Sequence, residues 1–219
     1  MTIQPLTPER RRQQTRDHLL AAASQVFAER GFHGASLDEV AAVAGFSKGA
    51  VYSNFKNKED LFLALFKANY DREMQALRAT LEGSKVPPET RLSDFVALIR
   101  EEFSQTPDSF GVLYEEFWLY AVRNPTAREQ LIRLENENVR AIAEIIEAER
   151  VRQHLEPLES AERVARIISV LFHGIGRLRV LQPQMADDSL IGTAISLIAR
   201  GLGVDTKPIL LPCPSPPTD

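Results

Sequence analysis

The residues of this chain best suited to chemistry gather between Ser47 and Lys58, and the chemistry they suit is recognition. Lys48, Gly49, Tyr52, Ser53 and Asn54 fall on the outward and flanking positions of a short helix, the kind that a major-groove reader presents to base edges. Lys56 and Lys58 flank Asn57 at the start of the next helix, where exposed amides and ammonium groups point at one place and suit a phosphate. Bond-making chemistry has no comparable footing. No Ser/His/Asp set, phosphate-cradling glycine loop or Cys/His cluster with zinc-ligand spacing occurs, so nothing supports an enzyme, a cofactor or a metal.

Two helices must position those side chains. Ser36 and Glu39 form a capping box, in which the hydroxyl accepts from a first-turn amide and the carboxylate reaches back to the cap amide. Leu37, Val40, Ala41 and Ala44 supply an apolar face. Gly45 stands where the chain must turn sharply, and glycine alone takes a positive φ without penalty. Ser47 caps the second helix, whose Ala50 and Val51, with Phe55, pack inward. A plain helical hairpin is the structural alternative. Small Ala41 at the crossing, the Ala-Gly-Phe-Ser junction and Lys48 at the front of the second helix favour DNA recognition over it.

Upstream, Thr7-Pro8-Glu9 gives a cap, a proline at the first helical position and an acid in the first turn. The helix it opens runs to Arg30, buried through Leu19, Leu20, Ala23, Val26 and Phe27, and Gly31 ends it. Arg10, Arg11, Arg12 and Arg16 near its start either reach phosphates or a minor groove or form a solvated charge run. Downstream, Asn57 caps a helix through Leu61, Phe62, Leu65 and Phe66 to about Leu81, and Gly83 to Pro88 breaks it.

The whole chain of 219 residues carries a formal charge of -4, which argues against a generally basic coat and requires any DNA contact to be local. Through residue 60 there are eight Lys/Arg against seven Asp/Glu, so the acidic excess lies in the rest. The single cysteine, Cys213, forms no intramolecular disulfide. The start lacks a signal peptide's apolar region and no window has the length of uncharged apolar residues that a membrane span needs, so a cytoplasmic protein is expected.

Residues from about Thr15 to Phe66 resemble the DNA-binding domain of TetR-type transcriptional regulators. The resemblance rests on Phe27-Ala28-Glu29-Arg30-Gly31-Phe32, Ser36-Leu37-Asp38-Glu39-Val40-Ala41, Ala44-Gly45-Phe46-Ser47-Lys48-Gly49-Ala50-Val51-Tyr52 and Phe55-Lys56-Asn57-Lys58-Glu59-Asp60-Leu61, in order and correctly spaced. It implies an all-α homodimer of about nine helices per subunit that binds a palindromic operator and is released by a small molecule. It also implies that Lys48, Gly49, Ala50, Tyr52, Ser53 and Asn54 face DNA, with Tyr52 on the backbone, Lys58 on a phosphate and Phe55 in the core. Ser36, Ser47 and Lys56 complete the DNA-binding candidates.

Beyond residue 80 only periodicity guides the reading. Helices are expected over 89–105, from Asp108, from Asn124-Pro125 to about Arg152, over 159–181 and over 188–202. Phe103, Phe110, Tyr114, Phe117 and Trp118 concentrate aromatic surface in two consecutive helices. Residue by residue such a stripe reads as core; as a group, and on the strength of the resemblance, it reads as the wall of an effector pocket for a largely apolar or aromatic molecule. His173, in the apolar run Val170 to Ile175, reads as a hydrogen-bonded interior or interface residue rather than a metal ligand, and joins the ligand-binding candidates. Leu171, Gly174, Ile175 and Leu178, with Ile191, Ala194, Ile195 and Ile198, exceed what one inward stripe needs. Gly174, Gly176 and Gly192 each cost about 1 kcal/mol of helix propensity, which close approach of another backbone would offset. A four-helix dimer seam is the expectation, and burial in a monomer core is its rival.

The expected organisation is therefore a helix-turn-helix DNA-binding domain over residues 1–57, a helical ligand-binding and dimerisation domain over 58–203, and a proline-rich, disordered tail over 204–219. The expected function is that of a ligand-responsive repressor. An activator, a co-repressor-dependent regulator and a helical scaffold without specific DNA binding are the alternatives.

Overall fold

The computed structural model describes residues 7–83, 108–154, 159–186 and 188–201. Their secondary structure is helical, without strands: α1 (Pro8–Gly34), α2 (Leu37–Ala44), α3 (Lys48–Asn54), α4 (Lys58–Gly83), α5 (Asp108–Arg123), α6 (Pro125–Gln153), α7 (Ala161–Leu181), a 3-10 turn (Pro183–Met185) and α8 (Asp188–Gly201). The expected all-α fold with an N-terminal helix-turn-helix is what forms. The helix expected over 89–105, Phe103, Cys213 and the 204–219 tail lie outside the described residues.

Local signals set the boundaries. Thr7 Oγ1 accepts from Arg10 N at 3.3 Å, and Ser160 Oγ accepts from Arg163 N at 3.3 Å at the head of α7. Helix α1 runs past Arg30, but its backbone breaks at Gly31 (φ 68°, ψ 175°), and a last turn, Phe32 to Gly34, follows the break. Gly31 thus ends the regular helix as expected, while the chain recovers one further turn before Ala35.

Two compact units form. The first contains the chain up to Asn69 together with Leu113–Leu134. Its centre is aromatic: Phe27, Phe32, Phe55, Phe62, Phe66 and Phe117 are almost wholly buried. Phe62 stacks on Phe117 with centroids 4.3 Å apart and on Phe66 at 4.5 Å, while Phe32 meets Phe62 and Phe117 edge-on at 5.1 and 5.0 Å. Edge-to-face and offset pairs add about 0.5–1.5 kcal/mol each beyond the area they bury. The three-helix reader is thereby anchored on α4 and on the C-terminal half of α5.

The second unit contains Tyr70 onward in α4 and Glu135 onward. Among its described residues Leu77, Val139, Ala165, Ile175 and Ala186 are buried. Arg78 pairs with Glu144 at 2.9 Å, and Arg166 pairs with Glu162 at 3.1 Å along α7. Both pairs are solvent-exposed and contribute at most about 1 kcal/mol each. No helix among the described residues is long and apolar enough to cross a membrane.

Candidate nucleic-acid interface

The reader is built as a sequence of caps. Ser36 Oγ accepts from Glu39 N at 3.2 Å while Glu39 Oε2 accepts from Ser36 N at 3.0 Å, so the capping box closes in both directions. At the other end of α2, Phe46 N donates to Ala41 O at 3.0 Å and Gly45 N to Ala42 O at 3.2 Å. With Gly45 left-handed at φ 71°, this is a Schellman turn. Ser47 Oγ then accepts from Ala50 N at 3.2 Å and starts α3. Val51 and Phe55 face inward, and Ala41 is buried where the helices meet. Lys48, Gly49, Tyr52 and Ser53 are exposed on the other side, with Tyr52, at 56%, more open than any other large apolar side chain of these helices.

Several candidates are already engaged within the protein. Lys48 Nζ meets Asp38 Oδ2 at 2.5 Å, and that hydrogen bond, then the carboxylate's charge, raises the lysine's pKa. A phosphate at Lys48 must compete with that carboxylate. Ser53 Oγ and Asn54 Nδ2 both donate to Ala50 O, at 2.9 and 2.8 Å, so each is turned back along α3. At the head of α4, Asn57 Oδ1 accepts from Asp60 N at 2.8 Å and Asp60 Oδ2 accepts from Lys56 N at 3.0 Å. The Lys56 side chain is exposed beside this closed cap. Ser36, a cap in both directions, is also exposed, and Ala50 is half-buried.

Two cations serve the frame. Lys58 Nζ donates to His33 O at 3.1 Å and Ala35 O at 3.0 Å and lies 4.8 Å from the centre of the Phe32 ring. An ammonium has three donors, and these two carbonyls take two of them. Arg16 Nη1 donates to Asn54 O at 3.2 Å, and its guanidinium lies 4.4 Å from the centre of the Phe55 ring. That places a cation on the C-terminus of α3, where the helix dipole favours one. Sequence reasoning grouped Arg16 with the terminal arginines, and nothing in the sequence around it points to Asn54 or Phe55.

Sequence reasoning missed the acidic partner of the turn between α1 and α2. Breaking α1 at Gly31 takes Phe32 N–H out of the helical ladder, and Phe32 is almost fully buried. Glu116 Oε2 on α5 accepts from that amide at 2.6 Å. An unsatisfied buried amide costs about 1–3 kcal/mol, so the carboxylate matters to this turn. One turn along α5, Tyr120 Oη donates to Glu59 Oε1 at 2.7 Å and accepts from Asn124 Nδ2 at 2.9 Å. The bond to Glu59 is the first cause of a raised Tyr120 pKa.

The ligand and dimer candidates fall in different places. Tyr114 and Phe117 are buried in the first unit, Tyr114 against Phe66 at 5.5 Å, whereas Trp118 is 39% exposed. The core alternative thus describes Tyr114 and Phe117 as they stand. Phe110 lies on α5. In the second unit Tyr70 Oη lies 3.3 Å from His173 Nε2, and burial, ahead of the charges of Glu73 and Glu135, pushes the phenol's pKa up. On α7, Leu171 and Gly174 are exposed, Leu178 is half-buried and Ile175 is buried. Ile167 and Leu181, which sequence reasoning did not single out, extend the Leu171, Gly174, Leu178 row by steps of four, three, four and three residues. A Cβ at Gly174 or Gly176 would meet nothing within 4 Å. On α8, Ala194 and Ile198 are half-buried, and Ile191 and Ile195 occupy the same helix. Among the described residues no three His, Cys, Asp or Glu side chains stand where they could hold a metal ion.

Residues 19–65 match the family described as bacterial regulatory proteins, tetR family. The chain is 29% identical over 147 residues to the HTH-type transcriptional repressor DhaR of Mycobacterium sp. strain GP1, covering 65% of this chain and 72% of that protein. It is 42% identical over 76 residues to the HTH-type transcriptional activator FasR of Mycolicibacterium smegmatis, a stretch covering 33% of this chain and 35% of that one. Its fold is similar to that of the transcriptional regulator FadR from Bacillus subtilis in complex with stearoyl-CoA, with a TM-score of 0.66 at 18% identity, over 84% of this chain and 98% of that structure. The capped helix-turn-helix and the matched segment make residues 19–65 a domain of the tetR-family type, and the chain as a whole is similar to transcriptional regulators that carry it.

Proposed function

We propose that the protein is a homodimeric, ligand-responsive repressor that binds a palindromic operator and leaves it when a small, largely apolar or aromatic molecule binds. The observation that carries the DNA half is α3, whose Val51 is buried and whose Lys48, Gly49 and Tyr52 are exposed side by side. Lys48, Gly49, Ala50, Tyr52, Ser53 and Asn54 form the reading face, with Ser36, Ser47, Lys56 and the remaining donor of Lys58 on the backbone. Residues 1–57 carry DNA binding, 58–203 carry ligand binding and dimerisation, and 204–219 form a tail.

The α7 row from Ile167 to Leu181, with Ala194 and Ile198 on α8, supports a four-helix seam between two copies. A dimer reads two half-sites when its recognition helices stand about 34–36 Å apart, one turn of DNA. The partly buried Tyr70–His173 pair supports an effector site with a few polar groups on apolar walls. An effector releases the operator only to the extent that it prefers the DNA-incompetent state. A relative named as an activator favours the second reading, in which the same reader recruits rather than blocks.

Selection from a randomised duplex pool at moderate salt tests the proposal. A palindrome enriched by the purified protein supports it, and a single unpaired half-site opposes the dimer. Enrichment only in the presence of cell extract supports the co-repressor reading.

A further inference from the structure

We propose that Glu116 is a positioning residue for DNA binding: its carboxylate on α5 holds the turn between α1 and α2 in the conformation that presents α3 to the operator. This rests on the reading of α3 as the DNA-binding helix.

The turn is gripped from both sides. Gly31 has φ 68°, which frees the Phe32 amide from α1, and Glu116 Oε2 takes that amide at 2.6 Å. On the carbonyl side Lys58 holds His33 O and Ala35 O. Between them the Phe32 ring is set among Phe27, Phe62, Phe117 and Tyr120. Gly31 also makes room for the carboxylate: a Cβ there would lie 2.7 Å from Glu116 Oε2 and 2.9 Å from Oε1. Glycine at this position therefore answers two demands at once, the left-handed backbone and the approach of an acid.

Helix α2 begins three residues after Gly34, and its direction is inherited from this turn. Among the described residues, Glu116 is the side chain outside α1 to α4 that bonds the turn's backbone, and Tyr120 secures the same face of α5 to Glu59 at the head of α4. A displacement of α5 of about 1 Å stretches a 2.6 Å hydrogen bond beyond its working range. The orientation of the reader is thus tied to the position of α5 through this acceptor, beside the packing of the Phe32 ring on Phe117 and Tyr120.

Three substitutions test the assignment in the full-length protein. Glu116→Gln keeps an oxygen at the same reach and is expected to bind the selected operator within about threefold of wild type. Glu116→Asp keeps the charge but falls one methylene short, and Glu116→Ala removes the acceptor; both are expected to weaken operator binding about tenfold. Hydrogen exchange at the Phe32 amide, measured without DNA, is expected to accelerate at least tenfold in Asp and Ala and to stay near wild type in Gln. Glu116→Asp carries the comparison if Glu116→Ala does not fold. Wild-type operator affinity in the Asp variant, or unchanged exchange at Phe32, overturns the proposal. Failure of the wild type itself to select any DNA overturns the operator reading instead, and the exchange result still decides whether Glu116 holds the turn.

Discussion

Replacing Arg16 with alanine separates two roles for a cation near the reader. In the structure Arg16 Nη1 donates to Asn54 O at 3.2 Å and the guanidinium packs over Phe55 at 4.4 Å. A hydrogen bond from a charged group contributes about 1.5–3 kcal/mol, and a cation on an aromatic face about 0.5–1 kcal/mol where exposed. The two overlap in one partly solvated side chain, so about 2 kcal/mol is the expected loss, mainly from the first unit. For a chain of this length that lowers the unfolding midpoint by about 4–8 °C. Trp118, the single tryptophan, lies in that unit and reports its unfolding by fluorescence. Arg16→Lys restores the cation at the α3 terminus but not the planar fork, and is expected to recover less than half of the loss. If Arg16 caps α3, the substitution leaves the salt dependence of operator binding unchanged; if it neutralises a phosphate in each subunit, the slope falls by about 0.9 per phosphate. Unchanged stability with a reduced salt slope would refute the capping role.

Alkaline titration examines the contact between α5 and α4. Tyr120 donates its phenolic proton to Glu59, which raises the tyrosine's pKa in the folded state, so the contribution is fully present below the unfolded value near 10 and is lost as pH rises through the folded value. Tyr120→Phe is expected to remove that alkaline fall while lowering stability at neutral pH, and urea titrations at pH 8 and at pH 11 measure both. The α7 row makes a separate demand. Leu171→Glu with Leu178→Glu is expected to give monomers in sedimentation at micromolar concentration with helical content retained; dimers of wild-type strength would move the seam elsewhere.

Local grammar was readable because each signal and its partner lie within one turn. Ser36 with Glu39, Gly45, Ser47 and Asn57 all cap as their types and spacing imply. The longer-range grips had no such signal. Glu116 meets Phe32 across 84 positions and Arg16 meets Asn54 across 38, and no periodicity in either segment points to the other. Lys58 shows the opposite limit. Its place beside a helix start suits a phosphate, yet only the packed turn reveals two backbone carbonyls competing for the same ammonium. The aromatic stripe on α5 divides by angle around the helix: Phe117 turns into the core and Trp118, 100° further round, does not. On α7 the exposed positions 167, 171, 174 and 181, with half-buried Leu178, repeat by fours and threes, a spacing that apolarity alone does not separate from Ile175, which is buried.

The central claim, that α3 reads DNA, is tested most directly by comparing wild type with the Lys48→Ala, Tyr52→Ala double variant on the duplex enriched from a random pool. Both side chains are exposed and neither is part of the core, so the variant is expected to fold as wild type does. The expected result is nanomolar binding by wild type and loss of binding by at least a hundredfold in the variant, with an unchanged circular dichroism spectrum. Equal affinity of the two proteins for that duplex would contradict the assignment of α3.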